Sequence, residues 1–247
     1  FEQLRVKEGE GFAHVHGLVE ATKRAFRVRD RVVTDPSRLP ARPQDFLTGP
    51  ALAQLAGEID TEHALPWPDP AQPGDTIWMG AVDAQGRAVS FIQSVYWEFG
   101  SGTVLSNSGV CWQNRGTSFS LQPNALNYLQ PGLKPFHTLN PSLAVFDDGR
   151  VMPYGTMGGE GQPQTQAAVF TRYARFGQTL QQAVSAPRFS ATSDAIDISN
   201  RIQGRVERKL QGLGYPVVRS PYGFGFAAVH GIRIHEDGLD GGADRRW

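Results

Sequence analysis

Apolar residues recur along this chain with two different periods, and the change from one to the other marks where helices give way to strands. Over residues 13–31, "AHVHGLVEATKRAFRVRDR", Leu18, Thr22, Ala25, Phe26 and Arg29 fall along one side at helical spacing with charges elsewhere, which predicts an amphipathic helix. "TDPSRLPARP" reads as a loop and "GPALAQLAGEID" as a short second helix. Four prolines in "PWPDPAQPGD" then forbid regular structure. From Ile77 the period shortens: "IWMGAVDAQGRAVSFIQSVY" is two β-like runs joined around Ala84-Gln85-Gly86, a hairpin. "GTVLSNSGVCWQN" is less regular, a further strand or a loop.

"PSLAVFDDGRVMPYGTM" predicts a second hairpin, with Asp148-Gly149 between apolar runs. It leads into Gly158-Gly159 and a helix, "PQTQAAVFTRYARFG", closed by Gly177. A strand, a Gly-Gly turn and a helix in succession expose backbone N–H groups where negative charge is welcome. "TLQQAVSAPRF" and "QGRVERKLQGLG" predict further helices, and "FAAVHGIRIHEDG" a closing hairpin. Antiparallel pairs with helices in separate stretches give an α+β chain of two sheets covered by helices.

Composition narrows the partners more than the fold. Among 247 residues, Lys plus Arg and Asp plus Glu number 24 each, so the charge balance points to neither nucleic acid nor a membrane surface. No apolar run approaches the roughly 20 residues of a membrane-spanning helix. The single cysteine, Cys111, leaves no partner for an internal disulfide or a thiolate zinc cage, and is expected in the core. His14 and His16 stand two apart and the remaining histidines lack a ligand spacing, so no metal site is predicted. A G-x-S-x-G elbow is absent, and "GTMGGEG" lacks the Lys-Ser/Thr of a P-loop.

The bond Asp75-Thr76 offers another chemistry. Cut there, Thr76 would carry a free α-amino group beside its hydroxyl, a base and a nucleophile in one residue. With a reference pKa of about 7.7 to 8.0, that amine is substantially neutral near pH 7 and can take the hydroxyl proton. The Pro-rich approach is where a cut is tolerated. A strand-initiating threonine after a loop has the same local pattern.

In "DTIWMGAVDAQGRAVS", "FGSG", "KPFHTLNPSLAVFDDGR", "YGTMGGEGQPQTQAAVF" and "FGQTLQQAVSAPRF", the chain resembles the γ-glutamyltranspeptidase family of N-terminal nucleophile hydrolases. The resemblance implies a four-layer αββα sandwich. It also implies self-cleavage between Asp75 and Thr76, dividing one shared domain into residues 1–75, the end of a large-subunit region, and 76–247, the small catalytic subunit. Thr76 falls on the family nucleophile, Gly158 and Gly159 on its oxyanion-stabilising pair, and Ser94 on a hydroxyl that accompanies the nucleophile. No metal or organic cofactor is implied, and the implied partners are the upstream large-subunit segment and a small-molecule substrate. Homo-oligomers of processed heterodimers are compatible with it.

Departures from the family pattern bear on that substrate. Where γ-glutamyl-specific members hold an α-ammonium with an asparagine, a glutamine and an aspartate, this chain has Tyr96, Arg115 and Ser118. The charge moves by about two units toward positive, which repels an ammonium group. His137 and Thr138 stand where paired serines usually bind a carboxylate. An arginine fork, an imidazole and hydroxyls suit a small carboxylate without a neighbouring amine, and the variant motifs resemble the oxamate amidohydrolase branch. The competing readings are a surface or subunit-contact arginine for Arg115, a backbone-bonded histidine for His137, and an apolar wall for Tyr96. The expectation is therefore an amidohydrolase of a small carboxylate-bearing amide such as oxamate, in the cytoplasm. A γ-glutamyltransferase or glutathione hydrolase, a glutaryl-type acylase, and an inactive truncated or unprocessed member are the alternatives.

Overall fold

The computed structural model describes residues 1–67, 75–192, 195–221 and 228–245. Most of the Pro-rich linker and the start of the expected closing hairpin lie outside them. Two 3₁₀ turns separate the first helix, α1 (Phe12–Val32), from α2 (Gly49–Gly57), which stops earlier than expected and buries none of its residues. On α1 the expected face is only partly right. Leu18, Thr22 and Phe26 are buried and Ala25 is exposed, while Glu20, Lys23 and Arg24 are buried rather than solvated.

The first hairpin is present as β1 (Asp75–Val82) and β2 (Ala88–Tyr96), closed by an Asp83 side chain that accepts from the N–H groups of Gln85 and Arg87. Residues 102–114 form a turn-rich loop with one antiparallel bridge, Val104 to Cys111. Cys111 is half-buried there, its thiol donating to the Phe99 carbonyl, and is not a core residue.

The second hairpin is β3 (Ser142–Val145) and β4 (Val151–Thr156), and α3 (Gly161–Ala174) follows the two glycines. Pro163 sits in the first turn of α3, where a missing N–H costs nothing. The next helix, α4 (Leu180–Ser185), opens on a Thr179–Gln182 capping box. It ends before the expected limit, because Pro187 keeps Ala186 extended and the chain enters β5 (Phe189–Thr192). Then come β6 (Ala195–Ser199), α5 (Gly204–Gly212), β7 (Val217–Ser220), β8 (Val229–His235) and β9 (Gly238–Ala243). The closing hairpin, β8 with β9, therefore lies further along the chain than the sequence suggests.

Among the described residues the strands form three sheets: β1-β2, β3-β4-β8-β9 and β5-β6-β7. The third was unforeseen; its β6-β7 pairing is parallel and runs through α5. It packs under α1 and α5 through Val15, Leu18, Val19, Ile196, Ile198, Val206 and Leu210. A second core joins Met152 and Val229 to α3 and α4 through Val169, Tyr173, Leu180 and Ala183. Each such aliphatic side chain contributes about 1.5–3 kcal/mol when fully buried. Because side chains alternate along a strand, β4 turns Met152 and Tyr154 to the helices and Gly155 to the opposite face. There Trp78 of β1 lies so close that a Cβ on Gly155 would fall 2.1 Å from its ring. The β1-β2 pair is thus seated on the four-stranded sheet by one indole, and its other face, with Ile77, Met79, Val89 and Phe91, is exposed.

Candidate active site

Thr76 opens β1 beside a break in pairing register between Asp75 and Ile77. It is buried, and its Oγ1 donates to Ser94 Oγ at 3.1 Å. Ser94 Oγ also accepts the Tyr96 backbone N–H at 2.9 Å. Thr76 and Ser94 border a cavity of about 650 Å³ with Ile77, Trp78, Val95, Met157 and His230. Trp78 is fixed in that wall by Nε1 donating to Ser90 Oγ at 2.9 Å.

Met157, in the same wall, immediately precedes Gly158 and Gly159. These adopt φ of 103° and 51°, backbone that a side chain would strain. Their carbonyls accept the N–H groups of Gly161 and Gln162, so they face α3, while their own N–H groups donate to no acceptor among the described residues. Consecutive glycine amides at a helix entrance form a concavity suited to an anion. Glu160 next to them is held by Arg29 of α1 at 3.0 Å.

Residues 137–140 dock on the same helix: Gln162 Oε1 accepts the Asn140 N–H and Gln166 Nε2 donates to the Asn140 carbonyl. Within this loop Thr138 is buried, with no partner for its Oγ1 among the described residues. His137 is solvent-exposed, and its Nδ1 accepts the Leu139 N–H at 3.2 Å, as a backbone-bonded histidine would. Desolvation of its ring and then the charge of Arg115 lower its pKa.

Arg115 starts a 3₁₀ turn, Arg115–Ser118, that Asn114 ties to the end of β2 by donating its N–H to the Val95 carbonyl and accepting that of Trp97. Ser118, half-buried, closes the turn. The Arg115 side chain is only 6% exposed and lies over the Tyr96 ring at 4.7 Å. Neither of its Nη groups has a hydrogen-bond partner among the described residues. Burial pulls its pKa down, yet a guanidinium stays charged. Tyr96 is also the strand partner of Asp75, so the arginine, the tyrosine and the Asp75-Thr76 peptide are neighbours.

A family model described as gamma-glutamyltranspeptidase matches residues 1–247. The chain belongs to the γ-glutamyltranspeptidase family. It is similar to the oxamate amidohydrolase proenzyme of Klebsiella pneumoniae subsp. pneumoniae, with 47% identity covering 99% of this chain and 48% of that protein. It is also similar to the glutathione hydrolase-like YwrD proenzyme of Bacillus subtilis, with 38% identity covering 100% of this chain and 48% of that one. Among solved structures, cephalosporin acylase from Bacillus halodurans superposes with a TM-score of 0.82 and 29% identity over 98% of this chain and 46% of its own. The chain spans about half the length of the curated relatives it matches.

Within this family member, sequence reasoning overlooked His230. It is the one histidine lining the cavity among the described residues. On β8 it pairs with Gly155, whose face is turned to Trp78, and strand register alone brings it there. A lone histidine in an apolar run carries no such signal. Among the described residues no group of three His, Cys, Asp or Glu side chains is placed to hold a metal ion, and no helix is long and apolar enough to cross a membrane.

Proposed function

We propose that this protein is an N-terminal-threonine amidohydrolase that cuts itself between Asp75 and Thr76 and hydrolyses a small carboxylate-bearing amide, with oxamate giving oxalate and ammonia. The observation that carries the substrate class is Arg115. A buried guanidinium without an acidic partner among the described residues is costly and gains most from an anionic ligand. The Tyr96 ring that carries Arg115 adds no carboxylate to receive an ammonium group.

In the proposed reaction the freed α-amino group of Thr76 takes the hydroxyl proton as Oγ1 attacks the amide carbon, and Ser94 keeps that hydroxyl aligned. The N–H groups of Gly158 and Gly159 receive the oxyanion. The amine returns the proton to the leaving nitrogen, ammonia departs, and water releases oxalate from the ester on Thr76. Arg115, with Thr138, His137 and Ser118, is assigned to the substrate carboxylate. An upstream large-subunit segment is assigned to cover the exposed face of β1-β2 and to complete an αββα sandwich.

Full-length Thr76→Ala protein is expected to stay uncut and to lose at least about 10³-fold of its oxamate hydrolysis, as loss of a nucleophile does. Mass spectrometry reports the cut and ammonia release the rate. Undiminished turnover in the variant overturns the mechanism, and a preference for a γ-glutamyl anilide over oxamate overturns the charge argument. The cavity, about 650 Å³ with Ile77, Trp78, Val95 and Met157 around it, favours a second reading as an acylase of longer, glutaryl-type amides. Faster release from a glutaryl anilide than from oxamate would establish that reading instead.

A further inference from the structure

We propose that Tyr96 is a positioning residue that joins carboxylate recognition to the nucleophile, an inference that rests on the amidohydrolase reading above. Three observations converge on this one side chain. Its ring carries the Arg115 guanidinium at 4.7 Å, and cation–π contact with a buried face fixes the plane of the fork. Its backbone N–H donates to Ser94 Oγ at 2.9 Å, and Ser94 Oγ in turn accepts from Thr76 Oγ1 at 3.1 Å. Its φ is 81°, a left-handed conformation that a tyrosine adopts only under constraint.

The strained backbone is what makes the other two contacts compatible. At the end of β2 the chain must turn so that the Tyr96 N–H reaches back two residues to Ser94 while the ring, only 7% exposed, stays inside under Arg115. That N–H is aimed by Ser94 and Val95, so once it is held on Ser94 the φ of Tyr96 decides where the ring and the following chain go, and a residue that cannot hold this φ must shift one or the other. The ladder partner of Tyr96 is Asp75, whose carbonyl carbon is the one attacked during self-cleavage. The substrate amide must occupy the place of that peptide once Asp75 has left, because the same hydroxyl attacks both. Arg115 on the Tyr96 ring then stands beside the position where the group attached to the substrate carbonyl, the carboxylate of oxamate, has to lie.

Ring and backbone are therefore separable by substitution. Tyr96→Asn in the full-length protein tolerates the left-handed backbone but removes the ring. It is expected to cut itself at a rate within about threefold of wild type. Its KM for oxamate should rise at least tenfold with a much smaller change in kcat, and its preference for oxamate over neutral oxamide should fall by a similar factor. Tyr96→Val, which is β-branched and excluded from positive φ, is expected to slow self-cleavage at least tenfold. Tyr96→Phe restores both ring and backbone and should recover the oxamate preference. The proposal is overturned if Tyr96→Asn keeps the wild-type KM and oxamate preference, or if Tyr96→Val cuts itself as fast as Tyr96→Asn. Wild-type protein that cuts itself but ignores oxamate overturns the substrate reading and the carboxylate role of Tyr96 together, while the comparison of Asn with Val still decides its role toward Ser94.

Discussion

His14 and Arg115 are both buried bases, and they resolve the cost of burial in opposite ways. Arg115 keeps its charge and is left wanting an anion, which makes it the informative residue of the site. His14 gives its charge up. It is fully buried with Nε2 hydrogen-bonded to Thr171 Oγ1 at 3.0 Å, and burial, followed by the nearby charge of Arg172, lowers its pKa to about 3. An unfolded histidine binds a proton below about pH 6.5, whereas the folded one refuses it down to about 3. In that window the unfolded state holds more protons, so stability is greatest above pH 6.5 and falls as pH drops. Between pH 6.5 and 5 the loss through His14 is about 2 kcal/mol. Urea midpoints measured at pH 7 and pH 5 should therefore differ less in His14→Gln than in wild type. Equal pH sensitivity of the two proteins would remove His14 from the account.

Single elements show why part of this fold is legible in the sequence and part is not. The turns at Asp83 and Gly149, and the glycines before α3, depend on their own few residues and are legible in the sequence. Buried Glu20, Lys23 and Arg24 were assigned to solvent because a period of apolar residues cannot distinguish a charge that meets water from one that meets a distant carboxylate or carbonyl. The β5-β6-β7 sheet was missed because its strands have four or five residues each and β7 reaches β6 only after α5. In the site, the Thr76–Ser94 pair and the glycines followed from motifs, whereas the stacking of Arg115 on Tyr96 and the arrival of His230 depend on register. Trp78 on Gly155 is the contact that sets this register between sheets. Gly155→Ala puts a methyl into the indole, and Gly80 on the other side, where a Cβ would come within 2.5 Å of the same ring, blocks its retreat. The substitution should cost about 1–3 kcal/mol. It should also slow self-cleavage, because displacing Thr76 by about 1 Å can cost 10²-fold in rate. Adding Trp78→Leu should restore much of the stability, a coupling that a double-mutant cycle reads directly; strictly additive losses would show that the indole does not seat the hairpin.

Among the described residues, the hydrogen bonds that Tyr215 makes with His16 and Glu20 span nearly the length of the chain and meet on the buried face of α1, from which further contacts lead to the approach to Thr76. Glu20 accepts from Lys23 at 2.7 Å, Arg24 at 2.8 Å and the Tyr215 hydroxyl at 2.6 Å. Burial alone would raise its pKa, but the hydrogen bonds from Lys23, Tyr215 and Arg24 win and hold it below the usual carboxylate range. The same cations extend beyond it: Lys23 donates to the Leu65 carbonyl and Arg24 to that of Glu58, while His16 Nε2 donates to the Asp60 carbonyl at 2.9 Å. Helix α1, the turn before β7 and residues 58–65 are thereby tied into one body just ahead of the Pro-rich linker. Replacing Glu20 with glutamine leaves two cations buried with a neutral acceptor, and breaking a buried ion pair from one side costs about 3–5 kcal/mol. Lys23→Met removes one cation and the Leu65 tether while keeping the side-chain volume, so its global loss should be the smaller. Its local effect should be the larger, seen as new proteolytic cutting within residues 58–67 under conditions where Glu20→Gln is still folded. Protection of that segment in Lys23→Met would mean that the apolar packing of Trp67 on Phe26 holds it without the charge cluster.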